Sequence, residues 1–319
     1  MKVLIIPGLT MREVSEADLS RIRDAGAEEV VVSNPRDAVR EIADADVVFG
    51  HVSKEMFAAA RKLRWVQAIS SGVDSFLYEE FKASDVVLTS EKGLVGEHLA
   101  DHAFGLLLML TRQLATALKY GPEGWNHRPQ MRYREIELTG SMMGIYGFGG
   151  TGRAVARRAA GFGMDVQALD RDPVAPSPEV EQVLGPDDFD GLLETSDVVA
   201  ICCPLTPETR GKFNTAAFAR MRPSAYLVNV TRGEIMVEED LVEALESGSI
   251  AGAALDVAPR EPLPSDSRLW SVANVVMTPH TAGASQFRAA RNMDRFVGNI
   301  RRFLDGERLA GVIDKELGY

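Results

Sequence analysis

Short apolar runs rich in Val, Ile and Leu alternate along this chain with amphipathic stretches, and the alternation predicts strands and helices in turn. Residues 3–6, 30–32, 47–49, 66–69 and 86–88 read as strands, with helices over 15–25 and 54–63 between them. Apart from Gln67 these strands are apolar, the pattern of a parallel sheet covered on both faces. Residues 93–119 follow as one long helical segment, apolar on most faces through HAFGLLLML and therefore buried or at an interface. A polar loop, 121–137, leads to a second alternating series. Its strands are 142–148, 164–169, 198–202, 225–229, 251–256 and 275–277, with helices over 154–162, 189–194, 215–220 and 238–247. A last helix, 286–304, precedes the C-terminal tail.

Two such series in 319 residues imply two domains. The second series starts in mid-chain, and the closing helix and tail are too short to fold alone. The first domain is therefore expected to be discontinuous: residues 1–97 and 285–319 form a substrate-binding domain, and 98–284 form a dinucleotide-binding domain. The expected fold class is α/β, two Rossmann-like doubly wound parallel-sheet domains with an interdomain cleft.

Bulk properties narrow the partners. A formal net charge of −11 argues against a nucleic-acid footprint. The opening MKVLIIPGL is ended by Pro7 and Gly8, so it reads as a first strand and not as a signal peptide. No run approaches the roughly 18 apolar residues that a membrane helix needs. Cys202 and Cys203 are adjacent within the apolar run VVAICCPL, and neighbours in an extended strand point to opposite faces. They are expected as small core hydrophobes, with no disulfide and no metal site, in a cytoplasmic protein.

Chemistry enters with GIYGFGGTG, residues 144–152. In a Rossmann unit the first Gly of G-x-G-x-x-G makes a tight turn, the second lets backbone approach a pyrophosphate, and the third lets helix pack on strand. Gly147, Gly149 and Gly152 fill those places, with Gly150 and Thr151 between them. Glycines alone also mark ordinary turns, so the flanking strand and helix carry the reading, and Asp170 ends the next strand. A carboxylate there accepts bonds from ribose hydroxyls and repels a 2′-phosphate, which favours NAD over NADP. The neighbouring Arg171 pulls the other way.

Three side chains follow strands of the second series: Arg232 in LVNVTRG, Glu261 in DVAPREPLP and His280 in VVMTPHTAG. Ligands of open α/β sheets sit at such strand ends. A guanidinium grips a carboxylate through two parallel N–H bonds and polarises the carbonyl beside it, the role expected of Arg232. Carbonyl reduction needs a proton donor that reloads near neutral pH, which suits His280. Glu261, bonded to the other ring nitrogen, would fix the tautomer and stabilise the imidazolium. Any one of them alone reads as a capping or solvated loop residue; together, downstream of the fingerprint, they suit hydride transfer between nicotinamide and a 2-oxo or 2-hydroxy acid.

In the order GFGGTG, Asp170, CPLTPETRG, VNVTRG, GAALDVAPREPLP, TPHTAG and VIDKELGY the chain resembles the D-isomer-specific 2-hydroxyacid dehydrogenases over nearly its whole length. The resemblance implies Arg232 as substrate anchor, Glu261 as histidine partner and His280 as acid/base. It places Asp256 on the nicotinamide carboxamide, Pro204 and Thr209 beside the adenosine half, and Thr231 among the cofactor contacts. It assigns Ser71, Gly72 and Val73 backbone N–H groups to the substrate carboxylate, and implies a homodimer built on the long helix. Ala258, Pro259 and Arg260 stand where relatives commonly have Phe-Glu before the catalytic Glu, and Gly150-Thr151 where Arg-Ile is common. A formate dehydrogenase of the same superfamily would carry Gln at position 261. The rival reading is an NADH-sensing, corepressor-like regulator on the same fold.

Other histidines invite functions. His98 and His102, four apart on a helix, mimic a metal pair but lack a convergent third ligand, so capping or interface roles are expected. His51 follows a first-domain strand and is a candidate to line the substrate side. Apolar Val52, Val73 and Leu94 point to an uncharged substrate side chain, pyruvate-like, glyoxylate-like or branched, over a phosphorylated one.

Overall fold

A computed structural model describes residues 1–319. The chain divides into two compact units, Met1–Val95 with Ala284–Tyr319, and Gly96–Gly283. No helix is long and apolar enough to cross a membrane.

The first unit holds β1 (Lys2–Ile5), β2 (Glu29–Val32), β3 (Val47–Phe49), β4 (Trp65–Gln67) and β5 (Val87–Thr89), all parallel, in the order β2-β1-β3-β4-β5. Alternate residues serve opposite faces: Leu4, Val48, Val66 and Leu88 join one core cluster, Val3, Val47, Phe49 and Trp65 the other. The helix Arg288–Leu304 covers the second face. Its Phe296 ring stacks on Phe49 with centroids 4.2 Å apart and lies 5.2 Å from Trp65. A fully buried carboxylate, Glu91, is bonded by Arg288 and Asn292 of that helix, so a buried charge is met by a guanidinium and an amide.

The second unit has β6 (Met142–Tyr146), β7 (Asp165–Leu169), β8 (Val183–Leu184), β9 (Val198–Ile201), β10 (Tyr226–Asn229), β11 (Gly252–Leu255) and β12 (Val275–Met277), parallel, in the order β12-β11-β10-β9-β6-β7-β8. Along β9, Val198 and Ala200 enter one cluster while Val199 and Ile201 enter the other, so both faces are buried as the apolar run requires. The chain leaves β6 in one direction and returns to β9 on the other side. That reversal places a crevice at the carboxyl ends of β6 and β9.

Local structure departs from the sequence pattern in places. The long segment 93–119 is two helices, Gly96–Thr111 and Leu114–Tyr120, broken at Gln113, which takes a left-handed φ of 53°. Its Nε2 donates to Leu110 O at 3.0 Å, closing the first helix with a side chain where glycine commonly does so. The expected loop 121–137 contains a 3-10 turn, Gly121–Trp125, and a short helix, Arg128–Arg132. A further helix, Pro35–Glu41, lies outside the expected pattern: Asn34 caps the N–H groups of Arg36 and Asp37, and Pro35 opens it.

Candidate active site

The glycine turn joins β6 to the helix Gly150–Gly161. Gly147 sits at φ 100°, and a Cβ there would lie 2.5 Å from Cys203 N, so only glycine allows the turn to press on the loop after β9. At Gly152 a Cβ would stand 2.1 Å from Gly147 O, which fixes the close packing of helix on strand. Gly149 is different: an added Cβ meets nothing within 4 Å. Open space over the N-terminal N–H groups of a 12-residue helix is where an anionic pyrophosphate fits. The helix is clamped to Gly96–Thr111 by Arg157 to Glu97, and by Arg158 to Glu97 at 3.0 Å and to Asp101 at 2.7 Å.

Asp170 follows β7. Its Oδ2 accepts from Phe148 N–H at 2.6 Å, in the glycine turn, and its Oδ1 from Asp172 N–H at 3.1 Å. The carboxylate is therefore held beside the turn by main-chain donors. Past β9, Thr209 Oγ1 donates to Pro204 O at 2.8 Å and accepts from Thr206 N–H at 2.8 Å, closing that loop on itself.

Arg232, Glu261 and His280 follow β10, β11 and β12, which are neighbours in the sheet. Buried Asn229, at the end of β10, accepts from Thr231 N–H at 3.0 Å and donates to Arg232 O at 2.9 Å. Arg232 Nη1 donates to Thr231 O at 2.8 Å. The next residue, Gly233, runs so close to the β11 loop that a Cβ would lie 1.9 Å from Ala258 C. Glu261 Oε1 accepts from Ala258 N–H at 3.0 Å, and Oε2 stands 2.7 Å from His280 Nδ1. The imidazole is 45% exposed and the carboxylate 38%, so the pair faces outward, available to a ligand. The Nδ1 contact leaves Nε2 as the free-facing nitrogen.

His280 itself has φ 52°, a region non-glycine residues enter sparingly. Its N–H donates to Asp256 O at 2.8 Å. The Asp256 side chain is fully buried: Oδ1 accepts from the Thr278 hydroxyl at 2.6 Å and Thr281 N–H at 2.8 Å, Oδ2 from Ala282 N–H at 2.8 Å. The Asp256 carboxylate is thus held on the His280 loop by these three donors. His102 Nε2 joins this group at 2.7 Å from Thr278 Oγ1. Sequence reading missed Asn229, Thr278 and the use of His102; a polar residue closing an apolar strand run was the available signal for the first two.

In the first unit, the loop after β4 is shaped by Ser70 Oγ donating to Gly72 O at 2.7 Å. Ser71 and Gly72 are half-buried there. Val73 and Val52, read as pocket-lining side chains, instead lie in the first unit's core at 1% and 0% exposure. His51 packs edge-on against Phe76, and burial lowers its imidazole below the ordinary value. Burial pushes the Cys202 thiol up to about 12, in keeping with a core role.

The sequence pattern of the family described as D-isomer specific 2-hydroxyacid dehydrogenase, NAD binding domain, matches residues 104–282. A glyoxylate reductase of Korarchaeum cryptofilum is 33% identical over 322 residues, covering 96% of this chain and 95% of that protein. A hydroxypyruvate reductase of Blautia hydrogenotrophica is 30% identical over 327 residues, with 96% and 98% covered. Among solved structures, an NADPH-dependent glyoxylate/hydroxypyruvate reductase from Sinorhizobium meliloti in complex with NADP and sulfate superposes with a TM-score of 0.81 at 27% identity, over 100% of both chains.

Proposed function

The chain belongs to the D-isomer-specific 2-hydroxyacid dehydrogenases, oxidoreductases of 2-oxo and 2-hydroxy acids, and from that premise we propose that it reduces a small 2-oxo acid of the glyoxylate or hydroxypyruvate type to its D-2-hydroxy acid with NADH. The observation that carries the reading is the 2.7 Å His280–Glu261 pair, one loop from Arg232. A donor–acceptor couple beside a guanidinium is what carbonyl reduction next to a carboxylate demands.

In this reading the Arg232 fork takes the substrate carboxylate and draws electron density toward the carbonyl oxygen. His280 delivers a proton from Nε2 to that oxygen in reduction and removes it in the reverse direction. Glu261 holds Nδ1, so the imidazole keeps one tautomer and its positive form is stabilised. The nicotinamide dinucleotide, when bound, supplies or accepts the hydride at the substrate's C2. Gly147, Gly149, Gly150, Thr151 and Gly152 would hold its pyrophosphate, Asp170 its adenosine ribose, and Pro204, Thr209 and Thr231 its flanks. Asp170 supports NAD: a fixed carboxylate beside the turn repels a 2′-phosphate. A reductase 27% identical to this chain binds NADP, so the ratio of kcat/KM with NADH and NADPH tests Asp170 directly.

A homodimer is proposed through the segment that carries Leu118, Trp125 and Tyr133, which are 74%, 80% and 90% exposed. Two buried free thiols are in keeping with a reducing cytoplasm.

Steady-state rates with NADH and NADPH across glyoxylate, hydroxypyruvate, pyruvate, branched 2-oxo acids and 3-phosphohydroxypyruvate test the proposal. Arg232→Ala is expected to lower kcat/KM by a hundredfold or more, about 3–5 kcal/mol, while NADH binding persists. Activity of that variant within about threefold of wild type removes Arg232 from the site. NADH binding without turnover of any 2-oxo acid would favour the NADH-sensing regulator.

A further inference from the structure

Asp256 ties the turn that carries His280 at four points. Asp256 takes the N–H of His280 on its main-chain oxygen, the N–H groups of Thr281 and Ala282 on its carboxylate, and the hydroxyl hydrogen of Thr278 on Oδ1. The turn needs this many ties. At φ 52° the His280 backbone is in a region that disfavours side chains by about 1–2 kcal/mol, and such residues persist only where surroundings over-determine them.

His102, from the helix Gly96–Thr111, completes the set with Nε2 2.7 Å from Thr278 Oγ1 and 3.4 Å from Asp256 Oδ1. Hydrogen counting assigns its role. A hydroxyl has one hydrogen, and an ionised carboxylate only accepts. The Thr278 hydrogen therefore points to Asp256 at 2.6 Å, and its oxygen is left as an acceptor facing His102. Nε2 of His102 must carry the hydrogen in that contact.

We propose that His102 is a positioning residue for the reaction: its Nε2–H locks the Thr278 hydroxyl toward Asp256 and so fixes the turn that aims the His280 imidazole at Glu261 and the substrate carbonyl. The helix thus supports a proton-transfer group 178 positions away through two side chains and no contact with substrate; the sequence separation of the His102–Thr278 bond alone is 176. This inference rests on His280 being the acid/base group. Its mechanism is second-hand: loss of the donor lets the turn relax, and misplacement of a proton donor by an ångström lowers a rate by up to about a hundredfold.

The test uses His102→Leu, His102→Gln and Thr278→Val in the full-length chain, with His102→Leu also placed in a His280→Ala background. Rates are read with glyoxylate and NADH, and cofactor affinity by NADH fluorescence. His102→Leu is expected to lower kcat about ten- to thirtyfold with KM and NADH affinity within about threefold, and the Gln variant, whose amide retains a donor, to recover most of the loss. In the His280→Ala background the same Leu change should lower the residual rate less than about twofold, because residues acting through one group are not additive. An equal loss in both backgrounds, or a kcat for His102→Leu within about threefold of wild type, overturns the proposal. If His280→Ala itself keeps near-normal rates, the acid/base reading fails, and the inference with it. Nitrogen-15 NMR of labelled histidine reads the hydrogen without any turnover or variant: a His102 ring protonated at Nε2 is expected, and one protonated at Nδ1 alone refutes the assignment even in a protein with full activity.

Discussion

Replacing Gly233 by Ala probes whether the Arg232 and Glu261 loops form one unit. The added Cβ would lie 1.9 Å from Ala258 C, 2.1 Å from Ala258 O and 2.4 Å from Pro259 N, all backbone atoms. Real Cβ atoms essentially never come nearer than 3.0 Å, so the loops must part by about an ångström. The φ of Gly233 is not in the left-handed region, so the clash and not backbone strain sets the cost. Overpacking of this kind costs about 1–3 kcal/mol, against about 0.4–1 kcal/mol gained from a less flexible unfolded chain. The net is destabilisation, read as a fall in Tm of several degrees. The larger effect is expected on rate. Glu261 is tied to Ala258 N–H, so a displaced Ala258 carries the His280–Glu261 pair away from Arg232, and an ångström of misplacement is worth about a hundredfold. The assay is NADH consumption with glyoxylate beside thermal unfolding and NADH fluorescence. A Gly233→Ala protein with kcat/KM within about threefold of wild type would sink the argument that backbone contact between these loops sets the site.

Glu261→Gln should leave the fold intact and lower kcat for reduction while NADH affinity persists, since an amide holds the imidazole less firmly than a carboxylate does; an unchanged kcat contradicts the pairing. Asp170→Ala should narrow the preference for NAD over NADP, measured as the ratio of kcat/KM values; a wild type that already prefers NADP defeats the reading of Asp170. With Cys202 raised to about 12 and Cys203 also held well up by burial, the native protein at about pH 8 should resist iodoacetamide and react only once unfolded, because thiolate is the nucleophile. The unfolded chain releases those protons first, so stability should decline as pH climbs past the ordinary thiol value; native labelling at the rate of free cysteine would refute both statements.

The sequence by itself determined what depends on local pattern. Strand-length apolar runs without alternation announced parallel sheets buried on both faces, and β9 places Val198 and Val199 in different cores as that pattern requires. Gly147 and Gly152 were legible because a turn and a close packing each exclude a side chain, and Gly149 because it leaves the approach to the helix N-terminus open. Glu261 and His280 were legible as residues in the loops after strands, and strand order brings them within 2.7 Å. Tertiary structure decided the rest. Periodicity could not show that Gln113 breaks the long helix, since a side chain closes it where no glycine signals a stop. Nor could it show that Val52 and Val73 point into the first unit's core, because a loop residue has no period that assigns its face. Asp256 turned inward, and His102 reached Thr278, for the same physical reason: which donors meet a buried carboxylate is settled by packing between segments far apart in the chain, about which neither residue's own neighbours carry any record.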